Sequence, residues 1–189
     1  MRQSLNQKQE NELIFIDTET TGLLKPDAAS LNLQPFITEI YAVKLTDNLG
    51  FIEDVNTLVK SPIPIPDEVI KISGITNEMV ADAPKFIEVY NELVDLFIGE
   101  RTTVGHNVSF DLGVLWAELA RHRLEFHFPW SPIWMCTVEK SMSIKHKRLS
   151  LKDLYMLATG HAYEDAHRAK SDVLATIECY QWLETKGLI

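Results

Sequence analysis

Asp17 and Glu19 stand two residues apart at the end of a short apolar run, Leu13-Ile14-Phe15-Ile16. The run is rich in strand formers and bounded by polar residues, so it reads as a buried β-strand over residues 12–18. Residues two apart on a strand point to the same face, so both carboxylates aim at one point in space. Thr20, Thr21 and Gly22 then break the strand and open a turn, with Gly22 free to take backbone angles that other residues avoid. Two converging carboxylates repel each other unless a cation sits between them, and hard oxygen donors of this kind suit magnesium or manganese. Further along, His106-Asn107-Val108-Ser109-Phe110-Asp111 and Ala166-His167-Arg168-Ala169-Lys170-Ser171-Asp172 bring two more acids, each five residues after a histidine. Alone, the first pair is equally well a solvated strand end, Asp111 an acid placed favourably in a first helical turn, and Asp172 part of a solvated helix face. The weight lies in the constellation.

The elements that must position these residues follow from periodicity and punctuation. Phe36 to Leu45 and Phe51 to Val59 read as second and third strands, joined by Asp47-Asn48-Leu49-Gly50, which has hairpin turn chemistry. Ser61 to Pro66 cannot donate a regular ladder and must be an extended connector. Asp67 to Ser73 reads as a short helix closed by Gly74, and Thr76 as the N-cap of another over 77–80. Asp82 as N-cap and Pro84 in the first turn predict a helix to about Ile98, with apolar residues at helical spacing. Thr102 to Gly105 is a short central strand ending at His106-Asn107. Ser109 is the expected cap of a helix from Phe110 to about His122. The aromatic, proline-punctuated stretch 124–136 is a connector with a short strand. Helices follow over 137–143, over 151–158 (capped by Ser150 and ended by Gly160), and over about 168–184. Strands first, then strands and helices in mixture, specify an α/β domain with a mixed β-sheet flanked by helices.

A chain of 189 residues with 46% hydrophobic content is one domain, large enough to bury a core without disulfides. Cys136 and Cys179 are far apart with no metal-like spacing, and read as reduced thiols. Residues 1–11 are polar and expected to be a flexible arm. No signal segment or membrane-length apolar run is visible, so a cytoplasmic protein with no membrane partner is expected. The net charge of −9 argues against affinity from a broad basic surface. It does not exclude a nuclease, because bound divalent ions would reverse the local potential.

Asp-x-Glu, then a distant Asp, then His-x-x-x-x-Asp, in that order from Asp17 to Asp172, resembles the DEDDh (DnaQ-like) 3′→5′ exonucleases. That family includes the proofreading epsilon subunit of bacterial replicative polymerase, ribonuclease T and oligoribonuclease. The resemblance implies a ribonuclease H-like fold over 12–189, the exonuclease domain, with two divalent cations, Mg²⁺ or Mn²⁺, held by Asp17, Glu19, Asp111 and Asp172. It also implies that Asp17 bridges both ions, that Glu19 and Asp172 complete the ion that activates water, and that Asp111 serves the second. By the same resemblance His167 is the general base. A helix advances about 100° per residue, so His167 and Asp172 cannot both face one site from within it, and His167 is expected on the loop or at the first helical position. The backbone at Thr20 and the side chain of Leu23 map to the hold on the terminal nucleotide, with local packing the alternative for Leu23. His106 and Asn107 are assigned to the substrate side, fixing the strand end and nearby backbone. Lys145 to Arg148 is the dense basic run, either a solvated loop or a contact to strand phosphates. The stretch KISGITNEMVADAP resembles a structural segment of polymerase-associated members. Where family members often carry Asp-Thr this chain has Cys136-Thr137, which puts local helix capping in doubt.

The expected activity is release of nucleoside 5′-monophosphates from the 3′ ends of DNA, single-stranded or frayed, in proofreading or repair. RNA trimming by the same fold is the alternative, since the acids do not report on the 2′-hydroxyl. A non-catalytic interaction module is the third reading, and the intact set of five residues weighs against it. The last predicted helix ends close to Ile189, so a stand-alone enzyme, or one docking on a DNA polymerase through its folded surface, is expected.

Overall fold

The apolar run near the head of the chain forms the middle of the sheet. The structure, a computed structural model, describes residues 12–25, 30–99, 101–164 and 167–189; the expected arm over 1–11 lies outside them. Strand β1 (Glu12–Thr20) pairs antiparallel with β2 (Ile37–Leu45), which pairs antiparallel with β3 (Phe51–Leu58). On its other edge β1 pairs parallel with β4 (Arg101–Gly105), and β4 with β5 (Ile133–Cys136). The order is β3-β2-β1-β4-β5, so the acid-bearing strand is central. Helices α1 (Asp67–Ser73), α2 (Phe86–Phe97), α3 (Val108–Arg121), α4 (Thr137–Lys145), α5 (Leu151–Thr159) and α6 (Ala169–Thr185) complete the fold.

A central strand covered on both faces must be apolar on both, and Leu13 to Ile16 are all buried. The period of two splits them between two cores. Ile14 and Ile16 pack with Val89 and Leu93 of α2 and with Leu115 and Leu119 of α3. Leu13 and Phe15 pack with Ala169, Val173 and Tyr180 of α6. The Phe15 and Tyr180 rings meet edge to face at 5.3 Å. Continued past the apolar run, the same alternation turns Asp17 and Glu19 toward α6 and Thr18 toward α3. Burial of the strand therefore aims the polar residues at its end.

Several expected boundaries move. β1 runs on through Thr20 because Thr20 still pairs with Ile37 across a register shift after Glu19. Helix α2 starts at Phe86 and not after Asp82: Glu88 reaches back to accept the Lys85 amide at 2.7 Å, which caps the helix there. Thr76 does accept the Met79 amide, at 3.3 Å, yet 77–82 forms turns and no helix. Helix α3 begins at Val108, with Asn107 and not Ser109 as its N-cap, because Asn107 takes a left-handed conformation (φ 71°) that asparagine tolerates. The β2–β3 loop closes through Thr46, with Leu49 at φ 60°. Among the described residues no helix is long and apolar enough to cross a membrane.

Candidate active site

At the end of β1, acids from three elements converge. Thr18 donates both its backbone N–H (2.9 Å) and its hydroxyl (2.8 Å) to Oδ1 of Asp111. Asp111, in the first turns of α3, is thereby fixed against the strand end and is only 3% exposed. Asp172 comes from the first turns of α6 on the opposite face. The Tyr163 hydroxyl donates to its Oδ1, and the His167 amide to Oδ2 at 3.2 Å. His167 precedes the helix at φ 72°, outside α6, with Asp172 inside it. Its ring, Glu19 and Asp172 offer ligand atoms within 4.8 Å of one another.

The electrostatics are those of a cation site. Burial, followed by the charges of Asp111, Asp172, Glu19 and Glu39, pushes the Asp17 carboxyl far above its ordinary range. Burial and then Asp172 push Glu19 up to about 7. Burial holds Asp111 at about 7 despite the Thr18 hydrogen bonds that favour its charged form. Asp172 is also raised by burial, against the opposing pull of Tyr163. Four clustered carboxylates that resist ionisation together are what a divalent cation would reverse, and an all-oxygen donor set fits Mg²⁺ or Mn²⁺.

Other sequence-predicted residues divide. Leu23 is 77% exposed, so local packing is not its role, whereas Leu24 packs down on Gly113. Thr20 is buried and its hydroxyl donates to the Gly22 carbonyl at 2.6 Å. His106 Nδ1 lies 2.9 Å from the Thr137 hydroxyl, and burial pushes its ring down to about 4, so it is neutral and tied to the strand end. The Asn107 side-chain oxygen accepts from Arg148 at 3.2 Å, which brings the basic run to the start of α3.

The RNase T exonuclease family model matches residues 14–180. The chain belongs to the DEDDh exonucleases. The chain is 40% identical over 116 residues to an uncharacterized exonuclease of Escherichia phage 186, covering 61% of this chain and 53% of that one. It is 32% identical over 170 residues to the DNA polymerase III epsilon subunit of Treponema pallidum, covering 87% and 72%. It spans only 26% of a bifunctional exonuclease/endonuclease protein of Mycobacterium tuberculosis at 31% identity. Among solved structures, the nuclease domain of 3′hExo, a DEDDh family member bound to rAMP, superposes with a TM-score of 0.74 at 16% identity, covering 95% and 94% of the two chains. The ribonuclease H-like fold is thus shared where sequence has largely diverged.

In this chain the departure at Cys136 has its expected local effect: Cys136 is the N-cap of α4 without a side-chain cap bond, and is buried instead. Four contributors escaped the sequence reading: Thr18, Tyr163, Glu39 and Arg168. Thr18 lies between two acids and faces the other way. Glu39 could have been found, because a carboxylate inside an otherwise apolar strand must find a partner.

Proposed function

We propose that the exonuclease removes nucleotides from the 3′ end of DNA, releasing nucleoside 5′-monophosphates, with two divalent cations held by Asp17, Glu19, Asp111 and Asp172. The observation that carries this reading is the convergence of those four carboxylates at one strand end with His167 beside them. Bound there, the cations would supply an activated nucleophile and neutralise charge on the scissile phosphate. Asp17, which feels the charges of both Asp111 on α3 and Asp172 on α6, would help to hold the cations. His167 takes the proton from the attacking water, since it lies outside the helix and is exposed beside Glu19 and Asp172. Exposed Leu23 wedges against the terminal base, and the backbone at Thr20 holds its sugar. His106 and Asn107 fix the strand end and bring Arg148 to the substrate side.

DNA is favoured because a relative covered over 72% of its length is a DNA polymerase III epsilon subunit. The same relationship supports proofreading or repair as the physiological class, a DNA polymerase as the macromolecular partner and the cytoplasm as the compartment. The deciding assay offers 5′-labelled single-stranded DNA, 3′-mismatched duplex DNA and RNA, with Mg²⁺ or Mn²⁺ and with EDTA. Stepwise shortening of the DNA, stopped by EDTA, is the expected result. Preference for RNA would transfer the activity to RNA trimming, and cleavage of closed circular strands would make the enzyme an endonuclease.

A further inference from the structure

Glu39 is a carboxylate only 3% exposed on β2, directly opposite Glu19 in the sheet register. All the partners the structure gives it come from the segment that carries His167 and Asp172. Arg168 Nε lies 3.1 and 3.0 Å from its two oxygens, and Arg168 Nη2 lies 2.6 Å from Oε1. The Ala169 amide donates to Oε2 at 3.0 Å. Helix α6 has no side-chain cap from its own N-cap residue, Arg168. Its first amide is satisfied instead by a carboxylate 130 residues earlier in the chain, held in a forked ion pair.

We propose that Glu39 and Arg168 are positioning residues for the reaction, fixing the first turn of α6 so that His167 is presented to Glu19 and Asp172. The inference rests on the reading of His167 as the base. A left-handed conformation is unfavourable for histidine, so the residue needs restraint on both sides. On one side its own amide is tied to Asp172; on the other, the Arg168 and Ala169 bonds to Glu39 pin the next two residues. The pair also settles a charge problem. Glu39 and Glu19 face each other across β1 and β2, and like charges opposite one another destabilise a sheet. Arg168 pairs with Glu39 and so offsets one of the two facing charges. Without Glu39 the guanidinium, half exposed, would be released beside Glu19 and Asp172, where it would compete with the cations.

The test uses the full chain and Glu39→Gln, which keeps the shape but turns the fork's acceptor charge off. Glu39→Gln should lower kcat about 10- to 100-fold, the usual loss when an outer partner of a site is removed. KM for a 3′-labelled oligonucleotide should stay within about threefold of the parent, because substrate contacts are untouched. The combination Glu39→Gln/His167→Ala should be no slower than His167→Ala alone, since both changes remove one function. Losses that multiply overturn the proposal. A second readout needs neither substrate nor metal: amide hydrogen exchange over 168–172 should accelerate in Glu39→Gln while β1 and α3 keep parental protection. Unchanged exchange there overturns the cap itself. If Glu39→Gln fails to fold, Arg168→Lys, which keeps charge and loses the fork, carries the same two comparisons. A parent chain inactive on every substrate would instead defeat the functional reading, and the exchange result would still judge the cap.

Discussion

Helices α3 and α6 begin with the same spacing, a histidine one residue before the N-cap and an aspartate five residues after that histidine. Residues flanking a helix start in this way tend to meet, which is the geometry of the hydrophobic staple. In α6 they do meet: His167 and Asp172 lie in one cluster with Glu19. In α3 they do not. The left-handed residue there is the N-cap itself, Asn107, and the chain turns so that His106 reaches Thr137 while Asp111 reaches Thr18. In α6 the left-handed residue is the histidine. Moving one positive φ by one position separates a half-buried, neutral histidine tied to a strand end from an exposed one beside the acids. Spacing alone does not assign a role to a histidine; the position of the backbone reversal does.

The largest effect should come from Asp17, which feels the acids of both helix starts. Asp17→Asn should cost more activity than loss of a positioned base, which is roughly 10²–10⁴-fold. In EDTA the same variant should be at least as stable as the parent, because it removes repulsion felt from Asp111, Asp172 and Glu19. Parental turnover at saturating metal would show that the strand-end pair is misassigned. The histidines should then separate cleanly. His167→Ala should lower kcat by roughly 10²–10⁴-fold with an unchanged melting temperature and nearly unchanged Mn²⁺ affinity by calorimetry. His106→Ala should lose less activity but about 1–3 kcal/mol of stability, the usual cost of a buried polar group left without its partner. The reverse assignment of losses would break the comparison.

What was legible in the sequence follows the same division. Asp17 and Glu19 could be read as a pair because the strand period of two aims them together, whereas Asp111, His167 and Asp172 entered through the family resemblance. Even the need for His167 to lie outside its helix was readable, from helical geometry alone. The α3 cap was not: Ser109 has the better capping side chain, and only the φ of Asn107 decides otherwise. Glu39 and Arg168 were hidden for another reason. They are separated by 129 residues, and an ion pair formed across a sheet leaves no local pattern. The start of α2 was missed because Glu88, inside the helix, does the capping expected of Asp82.

A pH scan sharpens the electrostatic side of the comparison with a smaller effect. Asp111 and Glu19 are both raised to about 7 from ordinary values near 4. A carboxylate raised in the folded state binds more protons folded than unfolded between those values. Its contribution to stability is therefore full below about pH 4 and is lost as pH rises through about 7. The EDTA-treated protein should melt several degrees lower at pH 8 than at pH 5, since about 1 kcal/mol shifts a domain of this size by 2–4 °C. Added Mg²⁺ should remove most of the difference. A melting temperature that rises over this range would contradict the buried-acid description.

The finest distinction lies between the hydroxyls that hold the two helix-borne aspartates. Thr18→Val removes a hydroxyl donor from Asp111, and Tyr163→Phe removes one from Asp172. Each variant keeps the backbone N–H that supplies a second bond. The surroundings differ: Asp111 is enclosed, while Asp172 lies partly open to solvent. Water can replace a lost hydroxyl at an open carboxylate but not at an enclosed one. Thr18→Val should therefore lose about 1 kcal/mol of stability, near the mean worth of a buried hydrogen bond. Tyr163→Phe should lose less than Thr18→Val although Tyr163 is itself buried, because Asp172 keeps access to water. Urea melts of both variants in EDTA, at one pH, measure the two losses side by side. Equal losses would mean that the α6 anchor is as closed as the α3 anchor, and the contrast between the two helix starts would then rest on the histidines alone.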